Sequence, residues 1–214
     1  MYGILPYKTY IKLCYRWFSK GKINLDNPKR FSEKWWWCMQ YNKKYCKELT
    51  QRVADKYEVI KYMEEIGQSS YLKKIYGVFD NANDINFDEL PNKFALKLTK
   101  SSGYNIICKN KDELDIEATR NRLNDMLFEL NDKRWKSHEL AWINEGKVRI
   151  VCEEFLEKED GTFYDELNIF CFNGEPKIIF IVNDYNEFVS DSGTVNHNFT
   201  RNFYDTDWTP IDVK

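Results

Sequence analysis

Apolar residues recur every three or four positions in the first part of the chain and every second position further on. That change of period divides it. Tyr10, Leu13, Cys14 and Trp17 fall on one helical stripe, and Phe31, Trp35, Cys38 and Met39 on another, which predicts two helices within the first ~70 residues. Asn24-Leu25-Asp26-Asn27-Pro28 supplies turn formers between them, and Ser32-Glu33 stands where the second helix would start. A third helix is predicted from Asp55 to Ile66, ended by Gly67, with Tyr71 to Phe79 extended after it. The three adjacent tryptophans Trp35, Trp36 and Trp37 cannot share one helix face, because neighbours stand about 100° apart. At least one must pack elsewhere, in a core or between domains.

From residue 94 the alternation is that of strands. Phe94-Ala95-Leu96-Lys97-Leu98 and Ile106-Ile107-Cys108 read as a hairpin whose tip, Lys100-Ser101-Ser102-Gly103-Tyr104-Asn105, is made of small and polar residues. A charged helix is predicted from about Asp115 to Leu130. Strands follow at Val148 to Phe155, Leu167 to Phe172 and Lys177 to Val182, the last two joined by Asn173-Gly174, the strongest short hairpin signal. The fold class is α+β, a helical N-terminal region followed by two antiparallel-sheet subdomains. The divisions fall at residues 1–90, 91–152 and 153–214.

Composition narrows the function classes. With 214 residues, 43% of them hydrophobic, the chain can bury a core. Its 32 basic and 34 acidic side chains give a formal charge of -2, so no basic field covers the whole molecule to attract nucleic acid. No apolar run approaches the ~20 residues of a transmembrane helix, and Lys8 and Lys12 interrupt what a signal peptide would keep apolar. A cytoplasmic protein is expected. The six cysteines form no Cys-x-x-Cys pair, and most sit in apolar segments where a reduced, buried thiol is the ordinary outcome. His138 and His197 stand alone, without the spacing of a zinc site or a nucleophile relay. No metal ligand is predicted.

Two features could carry chemistry. Lys97 lies inside an apolar strand, where its ammonium either snorkels to water or meets an anion in a cleft. The loop after it, Ser101, Ser102 and Gly103, can present backbone N–H groups as small-residue loops do to phosphates, or can serve as a plain hairpin turn. Glu153 and Glu154 end a strand on alternate faces, so one can point inward while the other is solvated. A solvated strand end and an adenine and ribose clamp are both open readings.

Several blocks resemble, in order, the TupA-like ATP-grasp family of cell-surface polymer biosynthesis. They are Asn27-Pro28-Lys29-Arg30-Phe31-Ser32-Glu33-Lys34, Asp55-Lys56, Tyr71-Leu72, Leu90 to Lys97, Ser102-Gly103, Arg149 to Leu156, Phe170 to Lys177 and Phe203-Tyr204-Asp205-Thr206-Asp207-Trp208. The resemblance implies an ATP-grasp fold, which holds ATP between two sheets to activate a carboxylate that an amine or hydroxyl then attacks. It implies that Lys56 and Lys97 touch the phosphates and that Ser101, Ser102, Gly103 and Tyr104 form the loop over them. Glu153 would meet the adenine amino group and the backbone of Glu154 and Leu156 the ring edge, with Glu157 or Glu159 near the ribose. Magnesium is expected with ATP, but the family's Arg-x-Asp element and magnesium-binding glutamate would lie beyond Lys214, so the C-terminal subdomain is expected to be incomplete and catalysis open. The chain also reads Glu166-Leu167-Asn168 where Asp-Tyr-Lys is frequent, Lys100 where a histidine is common, and Tyr185 after Asp184 where an arginine usually follows.

The implied function is therefore that of an ATP-dependent ligase of surface polysaccharide or teichuronopeptide-type synthesis, with an acceptor that the residues do not name. The alternative is a binding module whose aromatic helical front contacts a glycosyltransferase or another polymer-assembly enzyme. A glycosyltransferase itself would need an Asp-x-Asp metal motif, for which only Asp205-Thr206-Asp207 offers a formal match.

Overall fold

The computed structural model describes residues 5–19, 21–100, 102–131, 142–183 and 200–212. Ser101, His138, Asp184, Tyr185 and His197 lie outside the described residues. The chain forms two compact units, Met1–Phe155 and Leu156–Lys214.

The first unit begins with α1 (Tyr7–Ser19), α2 (Phe31–Tyr45), α3 (Lys47–Ala54) and α4 (Glu58–Glu65). Ile11, Ile23 and Leu25 form a small buried cluster against which Tyr10, Tyr15 and Trp36 pack. The tryptophan run divides as helical geometry requires, with Trp36 inward and Trp35 and Trp37 outward. Glu33 anchors the turn before α2, accepting the backbone N–H of Asn24 (3.1 Å), Lys29 and Arg30 (3.0 Å each) and the Arg30 guanidinium (2.8 Å). Those donors hold its carboxyl far below the usual range, the Arg30 side chain contributing most. α3 has no counterpart in the expected elements. Its break from α2 is an irregular Cys46 (φ -132°, ψ 27°) rather than a glycine or proline, so nothing in the sequence marks it. The expected helix from Asp55 starts later, at Glu58, because the Asp55 carboxylate accepts from the N–H of Tyr57 (2.9 Å) and Glu58 (3.1 Å) and so stands before the helix.

A four-stranded antiparallel sheet follows, β1 (Ile75–Phe79), β2 (Phe94–Leu98), β3 (Asn105–Cys108) and β4 (Ile150–Glu154), in the order β1-β4-β2-β3. Leu96 pairs with Cys152 and Leu98 with Ile150, so Phe94, Leu96, Leu98, Ile150 and Cys152 share one face. They pack with Leu123, Met126 and Leu127 of α5 (Ile116–Asn131) and with Ala82, Ile85, Phe87 and Leu90 into the main core. Each large side chain so buried contributes roughly 1.5–3 kcal/mol. Burial pushes the Cys152 thiol up to about 12. All six cysteines are free, but only Cys108 and Cys152 are buried, and Cys38 and Cys171 are exposed. Cys38 is outside because α2 has only a small cluster to cover, so most of its apolar residues face out.

The second unit holds an antiparallel sheet of β5 (Glu166–Phe172), β6 (Glu175–Asn183) and β7 (Thr200–Tyr204), in that order. Asn173 (φ 54°) and Gly174 (φ 80°) form the two-residue turn from β5 to β6, both in the left-handed region that the Asn-Gly signal calls for. Phe180 pairs with Phe203 across β6 and β7, their rings 5.5 Å apart. In Asp205-Thr206-Asp207 the Asp205 carboxylate accepts from the N–H of Asp207 (2.9 Å) and Thr209 (2.8 Å), so it closes a turn. Among the described residues no helix is long and apolar enough to cross a membrane.

Candidate functional site

The face of the first sheet opposite the core carries the chemistry. Because alternate residues of a strand point to opposite sides, Ala95 and Lys97 of β2 share this face with Val151 and Glu153 of β4, where Ala95 pairs with Glu153 and Lys97 with Val151. Glu153 is 4% exposed. Its Oε1 accepts from the ammonium groups of both Lys97 and Lys73, the latter at 2.7 Å. Lys97 thus neither snorkels freely nor stays unpaired, and Glu153 is not a solvated strand end. Glu154, one residue on, alternates away, its N–H on the Lys74 carbonyl (2.8 Å).

Lys56 reaches the same place from the loop between α3 and α4. Its backbone N–H donates to the Thr99 carbonyl (2.7 Å) and its ammonium to the Leu98 carbonyl (3.0 Å), which ties it to the last residues of β2. Burial lowers its pKa, and the positive charge of Lys97 acts in the same direction, while Glu153 and Asp55 oppose it. Lys73 and Lys97 thus pair with Glu153, and Lys56 stands within electrostatic reach of Glu153 and of the buried Asp55, so lysines outnumber carboxylates at this end of the hairpin.

The hairpin tip follows directly. The Leu98 N–H donates to the Tyr104 carbonyl (2.9 Å), closing the loop. Gly103 has φ +81°, open only to glycine without strain, and a β-carbon there would meet nothing within 4 Å. Ser102 is exposed. The Tyr104 ring packs against the main core, and burial raises its pKa. Lys100 is turned inward: its ammonium donates to the carbonyls of Glu145 and Asn144 and lies 4.0 Å from Asp55. Burial lowers its pKa. It ties the segment before β4 to the start of α4. Leu156 opens the second unit with its side chain exposed.

Lys73 was missing from the sequence expectations. A Lys-Lys pair in a loop reads as solvated charge, and only the pairing of Ile75 with Glu153 at the start of β1 brings it to the carboxylate. At the other end of the same face lies an open cleft of about 420 Å³ lined by Tyr57, Lys61, Val78, Phe79, Asp80, Asp84 and Arg149. Arg149 precedes Glu153 by four residues, roughly 13 Å along an extended strand. Its guanidinium is 3.4 Å from Glu58, 3.5 Å from Asp80 and 5.7 Å from the Tyr57 ring centre. Lys147 pairs with Asp80 (2.5 Å) and Lys61 with Glu58 (3.1 Å). The charges of this cleft balance one another.

Among the described residues no three His, Cys, Asp or Glu side chains are grouped to hold a metal ion. Comparison with curated proteins and with solved structures gave no match. The family comparison did: residues 33–214 match the family model described as TupA-like ATPgrasp. That span takes in both sheets, the Lys56 loop and the Lys97 hairpin. The chain belongs to the TupA-like ATP-grasp family.

Proposed function

We propose that the Lys97 face binds the phosphates of ATP and that the protein is an ATP-grasp carboxylate–amine ligase of cell-surface polysaccharide or teichuronopeptide-type synthesis. The observation that carries this reading is the pairing of Lys73 and Lys97 with the buried carboxylate of Glu153, with the partly buried Lys56 within electrostatic reach of it. Without a ligand the carboxylate holds two of the ammonium groups in place; with a triphosphate present they turn to its oxygens, which bear far more charge. Ser102 and Gly103, at the tip of the same hairpin, supply N–H groups to the phosphates. Glu153, freed of part of its lysine pairing, accepts from the adenine amino group, and the backbone from Glu154 to Leu156 reads the ring edge. Positioning and positive charge are what phosphoryl transfer to a carboxylate asks of a protein. The balanced cleft at Arg149 suits the non-nucleotide substrate, since it neither attracts nor repels a polyphosphate.

Calorimetric titration with ATP, with and without magnesium, tests this. Lys97→Ala should weaken binding about tenfold to a hundredfold, the worth of one charge-assisted hydrogen bond, and Lys56→Ala should weaken it in the same direction. A parent protein that does not bind ATP overturns the nucleotide reading and favours the binding-module alternative. Binding untouched by either substitution overturns the site.

A further inference from the structure

The overall charge of -2 conceals a sharp partition. Residues 1–47 hold eleven of the 32 basic side chains and, in Asp26 and Glu33, two of the 34 acidic ones, a formal charge of +9 that leaves the rest of the chain at -11. Six aromatic residues of the same stretch turn outward. Trp17 is 82% exposed and Tyr45 60%, and Phe31, Trp35, Trp37 and Tyr41 are exposed as well. On α2 these form a stripe: Trp37, Tyr41 and Tyr45 recur every four residues, with ring centres 5.6 Å and 4.7 Å apart. Exposed Lys34 and Lys44 flank it, the Lys44 ammonium 4.7 Å from the Tyr45 ring centre. On α1, Leu13 and Trp17 are exposed beside Lys12 and Arg16.

We propose that this helical region docks the protein onto the surface of an anionic lipid bilayer, with the Trp37–Tyr41–Tyr45 stripe at headgroup depth. Indole and phenol rings, apolar in body and polar at one tip, settle at that interface, and lysine and arginine are drawn to the negative leaflet. The charge partition selects this occupant. A flat surface can meet the exposed basic and aromatic side chains of α1 and α2 without engaging acidic side chains that lie more than a screening length of ~8 Å from it. A long nucleic acid would run onto those acidic side chains. The aromatic rings also lie along the outside of a helix rather than in a groove that could hold splayed bases. The inference is independent of nucleotide binding.

Co-sedimentation of the full chain with vesicles tests it. Vesicles containing phosphatidylglycerol should carry the protein down, pure phosphatidylcholine vesicles should not, and added salt should release it. Tryptophan emission should shift to the blue on binding. Lys34→Gln with Lys44→Gln should weaken binding roughly 25-fold, about fivefold for each charge removed. Trp37→Ser with Tyr41→Ser should weaken it as well and reduce the emission shift, while Lys158→Gln in the second unit should change nothing. The substituted side chains of α2 are solvent-facing, and circular dichroism checks that the variants fold. The proposal is overturned if the parent ignores anionic vesicles, if it binds neutral ones equally at any salt, or if a single-stranded oligonucleotide of equal total charge displaces the vesicles.

Discussion

The two ends of one sheet face differ in charge balance. Around Glu153, Lys73 and Lys97 meet one carboxylate, with Lys56 and Lys100 nearby facing Asp55; around Arg149 three cations, Lys61, Lys147 and Arg149, meet Glu58, Asp80 and Asp84. The first end holds more lysines than carboxylates and is partly buried, so a polyanion gains by entering it. The second is open and already neutral, so it offers paired charges and the Tyr57 ring to a ligand of small or mixed charge. A single antiparallel sheet, with its other face sealed by α5, thus presents two chemically distinct places about 13 Å apart.

The comparison breaks most completely if the sheet itself gives way. Phe94 is fully buried in the core of the sheet that carries both places, and Phe94→Ala should cost about 3–5 kcal/mol, read as a lower denaturant midpoint; ATP binding and the charge pairs of both ends should fail together. An undiminished midpoint would mean that the sheet does not hold the two ends.

Arg149→Met sharpens the contrast. It should change ATP affinity less than twofold by calorimetry while lowering the thermal midpoint, because Glu58 and Asp80 lose a shared cation. A loss of affinity as large as that of Lys97→Ala would make the two ends one site.

The smallest effect is in pH. Burial sets the Lys56 pKa below the ordinary 10.5, so between that lowered value and 10.5 the folded chain has shed a proton that the unfolded chain keeps. Stability therefore rises with pH across this window, and below it the burial cost is felt in full. ATP affinity runs the opposite way, falling as Lys56 loses its charge before an ordinary lysine would. Lys56→Arg, which stays charged, should remove that early fall in a pH series of titrations. A decline that begins at the same pH in both proteins would show that Lys56 does not serve the phosphates.

Much of this was legible before any coordinates. Asn173-Gly174 announced its turn, because few residues other than glycine and asparagine accept the left-handed region. Phe94 to Leu98 announced a strand, since alternation with a period of two is a local property. Lys97 and Glu153 drew notice as charges at the wrong positions in apolar runs, and Lys56 came only through the family likeness. α3, Lys73 and the Arg149 cleft escaped notice. α3 begins at an irregular cysteine that no residue type signals, and Lys73 looks like any loop lysine until β1 lies beside β4.

The chain's order of residues by itself determined most of its elements, its family, and the +9 and -11 partition of its charge, which follow from local period, turn chemistry and counting. Which charges meet was decided only by the tertiary structure. Lys56, Lys73, Lys97 and Glu153 span 98 positions in sequence, and only the strand order β1-β4-β2-β3 and the register of Ala95 on Glu153 bring them together. The electrostatic energy of a charge depends on its distance to others and on its burial, and neither is a property of the residue alone.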